Sequence, residues 1–300
     1  MIVRPPEQRF LDPAVLARIG SLELKARTVV EGFLSGLHRS PLKGFSVEFA
    51  EYRQYFPGDD LSTMDWKVFA RTDRHYVRKY EEETNLRGYL LLDVSASMQY
   101  GSGAMTKIEY ASCLTASLAY LMQRQRDASA LVTFDDKIVS LTPPSVRPGH
   151  LRSLLLTLHH LEPGSRTDAS RPLHQLADAL EKRGMIVLLS DLLDDPARVI
   201  DGLKHFRFRG SDVLVFHVLD PAELTFPFER PTKFRDLETG EELSASPRAA
   251  RADYLAALGA LIETYRRELR LAGIDYEVID TSRPLDFALM SYLAVRARRH

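Results

Sequence analysis

Asp93, Ser95 and Ser97 take every second position at the end of an apolar run, Leu90-Leu91-Leu92-Asp93-Val94-Ser95-Ala96-Ser97. On an extended backbone alternate side chains share a face, so one carboxylate and two hydroxyls converge just past the strand's carboxyl end. Hard oxygen donors in that number suit a small divalent cation. Magnesium needs only one or two carboxylates from the protein and keeps several waters, and manganese accepts the same donors. The same residues also fit a serine-rich turn in which Ser97 caps the next helix.

A second strand-like run, Met185-Ile186-Val187-Leu188-Leu189-Ser190, ends in another acid, Asp191, and the polar loop Gly164-Ser165-Arg166-Thr167-Asp168 supplies a hydroxyl between the two strands. Asp93, Ser95, Ser97, Thr167 and Asp191 together resemble the metal-ion-dependent adhesion site of von Willebrand factor type A domains. In that site D-x-S-x-S is joined by a distant Thr and a distant Asp. The resemblance implies that all five hold one Mg2+ or Mn2+, with Asp93 in direct contact and Asp191 acting through water.

Around these residues strands and helices alternate from about residue 87 onward, as a doubly wound, mostly parallel α/β sheet requires. Strands are expected at 88–93, 128–134, 185–190, 212–218 and 274–280, and helices at 104–125, 148–161, 170–182, 196–207 and 248–271. A last helix begins near Thr281-Ser282-Arg283-Pro284, and Arg296, Arg298 and Arg299 suit the negative end of its dipole. The turn Asp135-Asp136 before Lys137-Ile138-Val139-Ser140-Leu141 predicts a hairpin, so one edge strand should run antiparallel. In such a sheet ligands bind beyond the carboxyl ends of the strands where the winding reverses, and the loops of Asp93 and Asp191 converge if their strands are neighbours there. A further small hairpin is expected over 233–243, turning at Thr239-Gly240.

The 300 residues, 45% of them hydrophobic, suit one main domain with an elaboration. A formal charge of −1 provides no global field for nucleic acid or an anionic membrane, so recognition has to be local. No apolar run approaches the roughly 18 residues of a membrane span. The start, Met1-Ile2-Val3-Arg4-Pro5-Pro6, lacks a signal-peptide apolar core, and a cytoplasmic location is the expectation. The single cysteine, Cys113, lies in a helical apolar pattern and reads as core.

Residues 1–86 differ in character and read as an N-terminal helix and β extension docked on a main domain over 87–300. Leu16, Ile19, Leu22, Leu24, Val29, Val30, Phe33, Leu34 and Leu37 mark an amphipathic helix broken near Gly20. Gly44 to Tyr55, the turn Pro57-Gly58-Asp59-Asp60, Met64-Asp65-Trp66-Lys67-Val68-Phe69-Ala70-Arg71-Thr72 and Tyr76 to Glu83 follow. These segments closely resemble the signature of the bacterial domain of unknown function 58 family, whose members carry it just before a von Willebrand type A-like domain. Ser62 departs from it, standing where a basic residue is expected after Gly-Asp-Asp. The basic and aromatic residues here could stack on nucleobases. Glu48, Glu51, Asp59, Asp60, Asp65 and Glu81 to Glu83 are interleaved with them, however, which also fits an internally paired docking network.

A magnesium held by one direct carboxylate and neutral hydroxyls keeps positive charge and attracts an anion. In von Willebrand type A domains that anion is an acidic side chain of a partner protein. Members of the resembled family are typically encoded beside AAA+ ATPases of the MoxR type, so the resemblance implies a non-enzymatic, metal-dependent adaptor or co-chaperone acting with such an ATPase or its client. The alternative is a metal-dependent or serine hydrolase in which Ser95 or Ser97 works with one of His150, His159, His160 or His174. No G-x-S-x-G elbow surrounds either serine.

Overall fold

The computed structural model describes residues 12–39, 52–54, 76–78, 86–162, 164, 169–180 and 183–297. Its centre is a six-stranded sheet built from β3 (Arg87–Asp93), β4 (Ala128–Phe134), β5 (Ile138–Ser145), β6 (Met185–Ser190), β7 (Asp212–Leu219) and β10 (Asp275–Asp280). The spatial order is β10-β7-β6-β3-β4-β5. Every neighbouring pair is parallel except β4 with β5. The chain winds outward from β3 to β5, returns, and winds the other way from β6 to β10. The winding therefore reverses between β3 and β6, which are direct neighbours with Gly88 opposite Met185 and Leu92 opposite Leu189. This is the doubly wound, von Willebrand type A-like arrangement with one antiparallel edge.

Residue pattern explains the sheet. β3, β4, β6 and β7 are buried on both faces and read as almost continuous apolar runs. β5 alternates half-buried and exposed residues, as an edge strand does. It continues four residues past the expected Leu141, through Pro143 and Pro144, because an edge strand tolerates residues that cannot donate to a ladder.

Helices cover both faces. The helix expected at 104–125 runs from Lys107 to Arg124 (α3) because Thr106 and Glu109 form a capping box that fixes its start. α1 (Pro13–Leu16) and α2 (Leu22–Arg39) are separated by a break that contains Gly20. Leu16, Ala26, Val29, Val30 and Phe33 lie in the same apolar cluster as Leu114, Leu118 and Met122 of α3. The N-terminal helices thus share the core of the α/β unit. α4 (His150–His159) completes that side together with α9 (Asp286–Ala297), while α5 (Ser170–Ala179), α6 (Pro196–Phe208) and α8 (Pro247–Leu271) cover the other.

Of the extension, β1 (Tyr52–Gln54) and β2 (Tyr76–Arg78) form an antiparallel pair, and the remaining signature segments lie outside the described residues. The hairpin of β8 (Thr232–Arg235) and β9 (Glu242–Ala245) turns through Gly240, whose positive φ of 75° favours glycine. A short helix the sequence did not suggest, α7 (Pro221–Thr225), follows β7 and is started by a capping box of Asp220 and Glu223. Cys113 is buried among α3 neighbours, and burial pushes its thiol up to about 12. Arg296 ion-pairs with Asp127 at 3.0 Å, and residues 298–300 lie outside the described set. No helix among the described residues is long and apolar enough to cross a membrane.

Candidate metal centre

At the reversal point the chain leaves β3 at Asp93 and β6 at Ser190, and both exits are fully buried. Asp93 is gripped at both oxygens. The Ser95 amide donates to Oδ1 at 2.9 Å, and the Ser190 hydroxyl donates to Oδ2 at 2.6 Å. The Ser95 and Ser97 hydroxyls lie 3.1 Å apart. Ser97 sits inside a short 3-10 turn, Ala96–Gln99, and α3 is capped by Thr106, so the serines are not that helix's cap. Asp93, Ser95 and Ser97 thus lie together, but through a turn that follows the end of β3 and not through the extended alternation expected.

Asp191 meets the same region from the neighbouring strand, but it shares a lysine counter-ion with Glu223. Lys107 Nζ lies 2.8 Å from Asp191 Oδ2 and 2.7 Å from Glu223 Oε1, and the Tyr100 ring centroid is 5.9 Å from it. The two carboxylates raise the lysine above its usual value despite burial. Burial first, and then the nearby charge of Asp191, push Asp93 up to about 7. Ionising Asp93 therefore leaves a buried negative charge that hydroxyls and one amide offset only in part. A cation beside the two serine hydroxyls would complete that balance.

The backbone around the site is held tightly. Gly164 donates to the Val94 carbonyl at 2.8 Å, and a Cβ there would fall 2.9 Å from that oxygen and 2.8 Å from Asp135 Cβ, so only glycine allows the approach. Ala169 donates to Asp194 at 3.0 Å. Thr167 lies outside the described residues, yet Gly164 before it and Ala169 after it are tied to the loops that follow β3 and β6. Leu192 adopts a left-handed φ of 52°, a conformation that costs a branched residue of the order of 1–3 kcal/mol. The Ser190 hydroxyl accepts from its amide at 3.0 Å, and the Tyr265 hydroxyl donates to its carbonyl at 3.3 Å. A loop from Tyr100 to Thr106 is lashed to the end of β7, where the Ser102 amide donates to Asp220 at 2.8 Å.

Lys107, Ser190, Glu223 and the buried His217 are site residues that the sequence reading missed. Lys107 had a signal. A lysine in the first turn of a helix faces the positive end of the dipole and needs an anion to justify it. His217 sits on β7 with its Nδ1 2.6 Å from the Tyr276 hydroxyl, and burial lowers it to about 4. Of the four histidines considered as hydrolase bases, His150 bonds the Ser129 carbonyl, His159 and His160 stack edge-to-face at the end of α4, and His174 meets His205.

The donor set fits a small hard cation through one carboxylate and hydroxyls, and rests on oxygen donors that need not be acidic. Among the described residues no group of three or more His, Cys, Asp or Glu side chains is placed to hold a metal ion.

Uncharacterized proteins of Mycobacterium bovis and Mycobacterium tuberculosis are 28% identical over 305 residues, covering 99% of this chain and 95% of the relatives. Among solved structures, BatB from Bacteroides thetaiotaomicron has a TM-score of 0.48 at 16% identity, covering 72% of this chain and 100% of BatB. The VWA domain of SpRpn10 has a TM-score of 0.39 at 15% identity, covering 69% of this chain and 94% of that domain. The family model described as "Protein of unknown function DUF58" matches residues 51–261, and the chain belongs to that family.

Proposed function

We propose that the chain is a non-enzymatic, cytoplasmic protein-binding adaptor whose contact is completed by a divalent cation, Mg2+ or Mn2+, held by Asp93, Ser95, Ser97, Thr167 and Asp191. The observation that carries this reading is the buried Asp93 carboxylate, raised to about 7, beside two hydroxyls 3.1 Å apart at the reversal point of the sheet. A cation bound there supplies a positive centre for an incoming acidic side chain. Because Lys107 offsets part of the charge of Asp191, which it shares with Glu223, the ion would meet less than two full carboxylate charges from Asp93 and Asp191 and keep charge for the partner. The partner proposed from the family resemblance is a MoxR-type AAA+ ATPase or its client.

A pull-down against a MoxR-type AAA+ ATPase from the same genome, run with magnesium, with chelator and with Thr167→Ala, tests the reading. Capture that depends on the ion and drops in the variant supports it. Equal capture in all three overturns it.

A further inference from the structure

Away from the sheet's carboxyl edge, α5 carries His174-x-x-x-Asp178 and α6 carries Asp201-x-x-x-His205. A spacing of four places each histidine on the same helix face as its aspartate. The two helices can approach closely because Gly202 lies at their contact, where a Cβ would come 3.0 Å from Leu173 Cβ. The resulting pairing is crossed. His174 Nε2 is 3.5 Å from Asp201 Oδ2, His205 Nε2 is 3.4 Å from Asp178 Oδ1, and the two Nδ1 atoms stand 3.3 Å apart. Arg209 also reaches Asp178, at 3.7 Å.

Proton counting makes this arrangement informative. A neutral imidazole has one N–H, and a carboxylate can only accept. If each Nε2 carries its proton toward its carboxylate, the two Nδ1 lone pairs face each other with nothing between them. If either Nδ1 carries the proton instead, that ring turns a bare Nε2 lone pair on a carboxylate. Every neutral assignment leaves at least one repulsive contact, and a cation between the Nδ1 atoms, a proton or a metal ion, removes it. Histidines that bind metals characteristically turn their other ring nitrogen to a carboxylate, and here each Nε2 has a carboxylate oxygen 3.4–3.5 Å away. Two nitrogens at zinc's usual 2.0–2.1 Å in a tetrahedral shell are separated by roughly 3.3 Å.

We propose that His174 and His205 form a zinc site through their Nδ1 atoms, with Asp201 and Asp178 orienting the rings. The protein contributes two direct ligands, and among the described residues no group of three or more His, Cys, Asp or Glu is placed to add a third. Water or an added ligand fills the other positions. The side chains of His174 and His205 are 38% and 27% exposed, so the ion has access. This nitrogen site is chemically separate from the oxygen donors around Asp93 and favours a borderline metal over magnesium.

Cobalt titration of the full chain, read by visible absorption, tests it. One equivalent of Co2+ should give an intense tetrahedral band that zinc displaces and excess magnesium does not. His174→Gln and His205→Gln should each abolish the band, Asp93→Ala should retain it, and Asp201→Asn should weaken binding about 10–100-fold. No band in the wild-type chain would mean that a shared proton alone bridges the rings and would overturn the proposal, as would a band that survives in both glutamine variants.

Discussion

The ends of β3 and β6 are neighbours in the sheet and equally buried, but they treat their carboxylates in opposite ways. Asp191 at the end of β6 has an ammonium counter-ion in Lys107, which it shares with Glu223. Asp93 at the end of β3 receives only an amide and serine hydroxyls, and burial with the charge of Asp191 raises it to about 7. One strand end brings its own counter-ion and the other does not. A sheet that merely needed to bury two acids would treat them alike, and the difference marks Asp93 as the position where an external cation is worth most.

Lys107→Met breaks this comparison most severely. It should lower stability by about 3–5 kcal/mol in chemical denaturation, because Asp191 is left buried without its partner. A loss below about 1 kcal/mol would mean that Lys107 does not set the charge balance at β6.

The second effect is read from pH. Asp93 has a folded value of about 7 against 3.8 unfolded, so the folded state favours the neutral form. Its contribution is complete below the unfolded value and is lost as pH rises from about 4 to about 7, by at most about 4 kcal/mol. Buried His217, lowered to about 4 from 6.5, works the other way and loses stability as pH falls through the same range. The comparison therefore has to be made between wild type and Asp93→Asn without divalent ions. The wild type should weaken relative to the variant as pH rises, and saturating magnesium should reverse that weakening at pH 8. A pH-independent difference would mean that Asp93 does not change protonation between the folded and unfolded states in this range.

A smaller effect sharpens the geometry. Gly164→Ala forces a methyl against the Val94 carbonyl and Asp135, and should cost about 1–3 kcal/mol in thermal or chemical unfolding. If the loop end can shift freely, the substitution will be neutral, and the tie between that loop and the end of β3 is then unimportant.

Most of this architecture could be read from residue pattern. The runs through Leu90 to Leu92 and Ile186 to Leu189 are apolar at every position because both sheet faces are covered, and the acid turn at Asp135-Asp136 announced the antiparallel edge. The every-second spacing pointed to Asp93, Ser95 and Ser97, but the strand stops at Asp93 and a short 3-10 turn, not extended alternation, carries Ser97. The pairing of Lys107 was not legible, since its partner Asp191 is 84 residues away and no local pattern pairs them. Likewise, His205 reaches His174 only through the packing of two helices, which Gly202 permits and which linear spacing does not encode.

The most direct measurement is calorimetric titration of the purified chain with magnesium and with manganese at pH 8, where Asp93 is ionised, alongside Asp93→Ala and Asp191→Asn. Saturable binding in the wild type, abolished by Asp93→Ala and weakened less by Asp191→Asn, is the predicted result. Affinity unchanged in Asp93→Ala, or no binding of either ion by the wild-type chain, would contradict a divalent cation at this site.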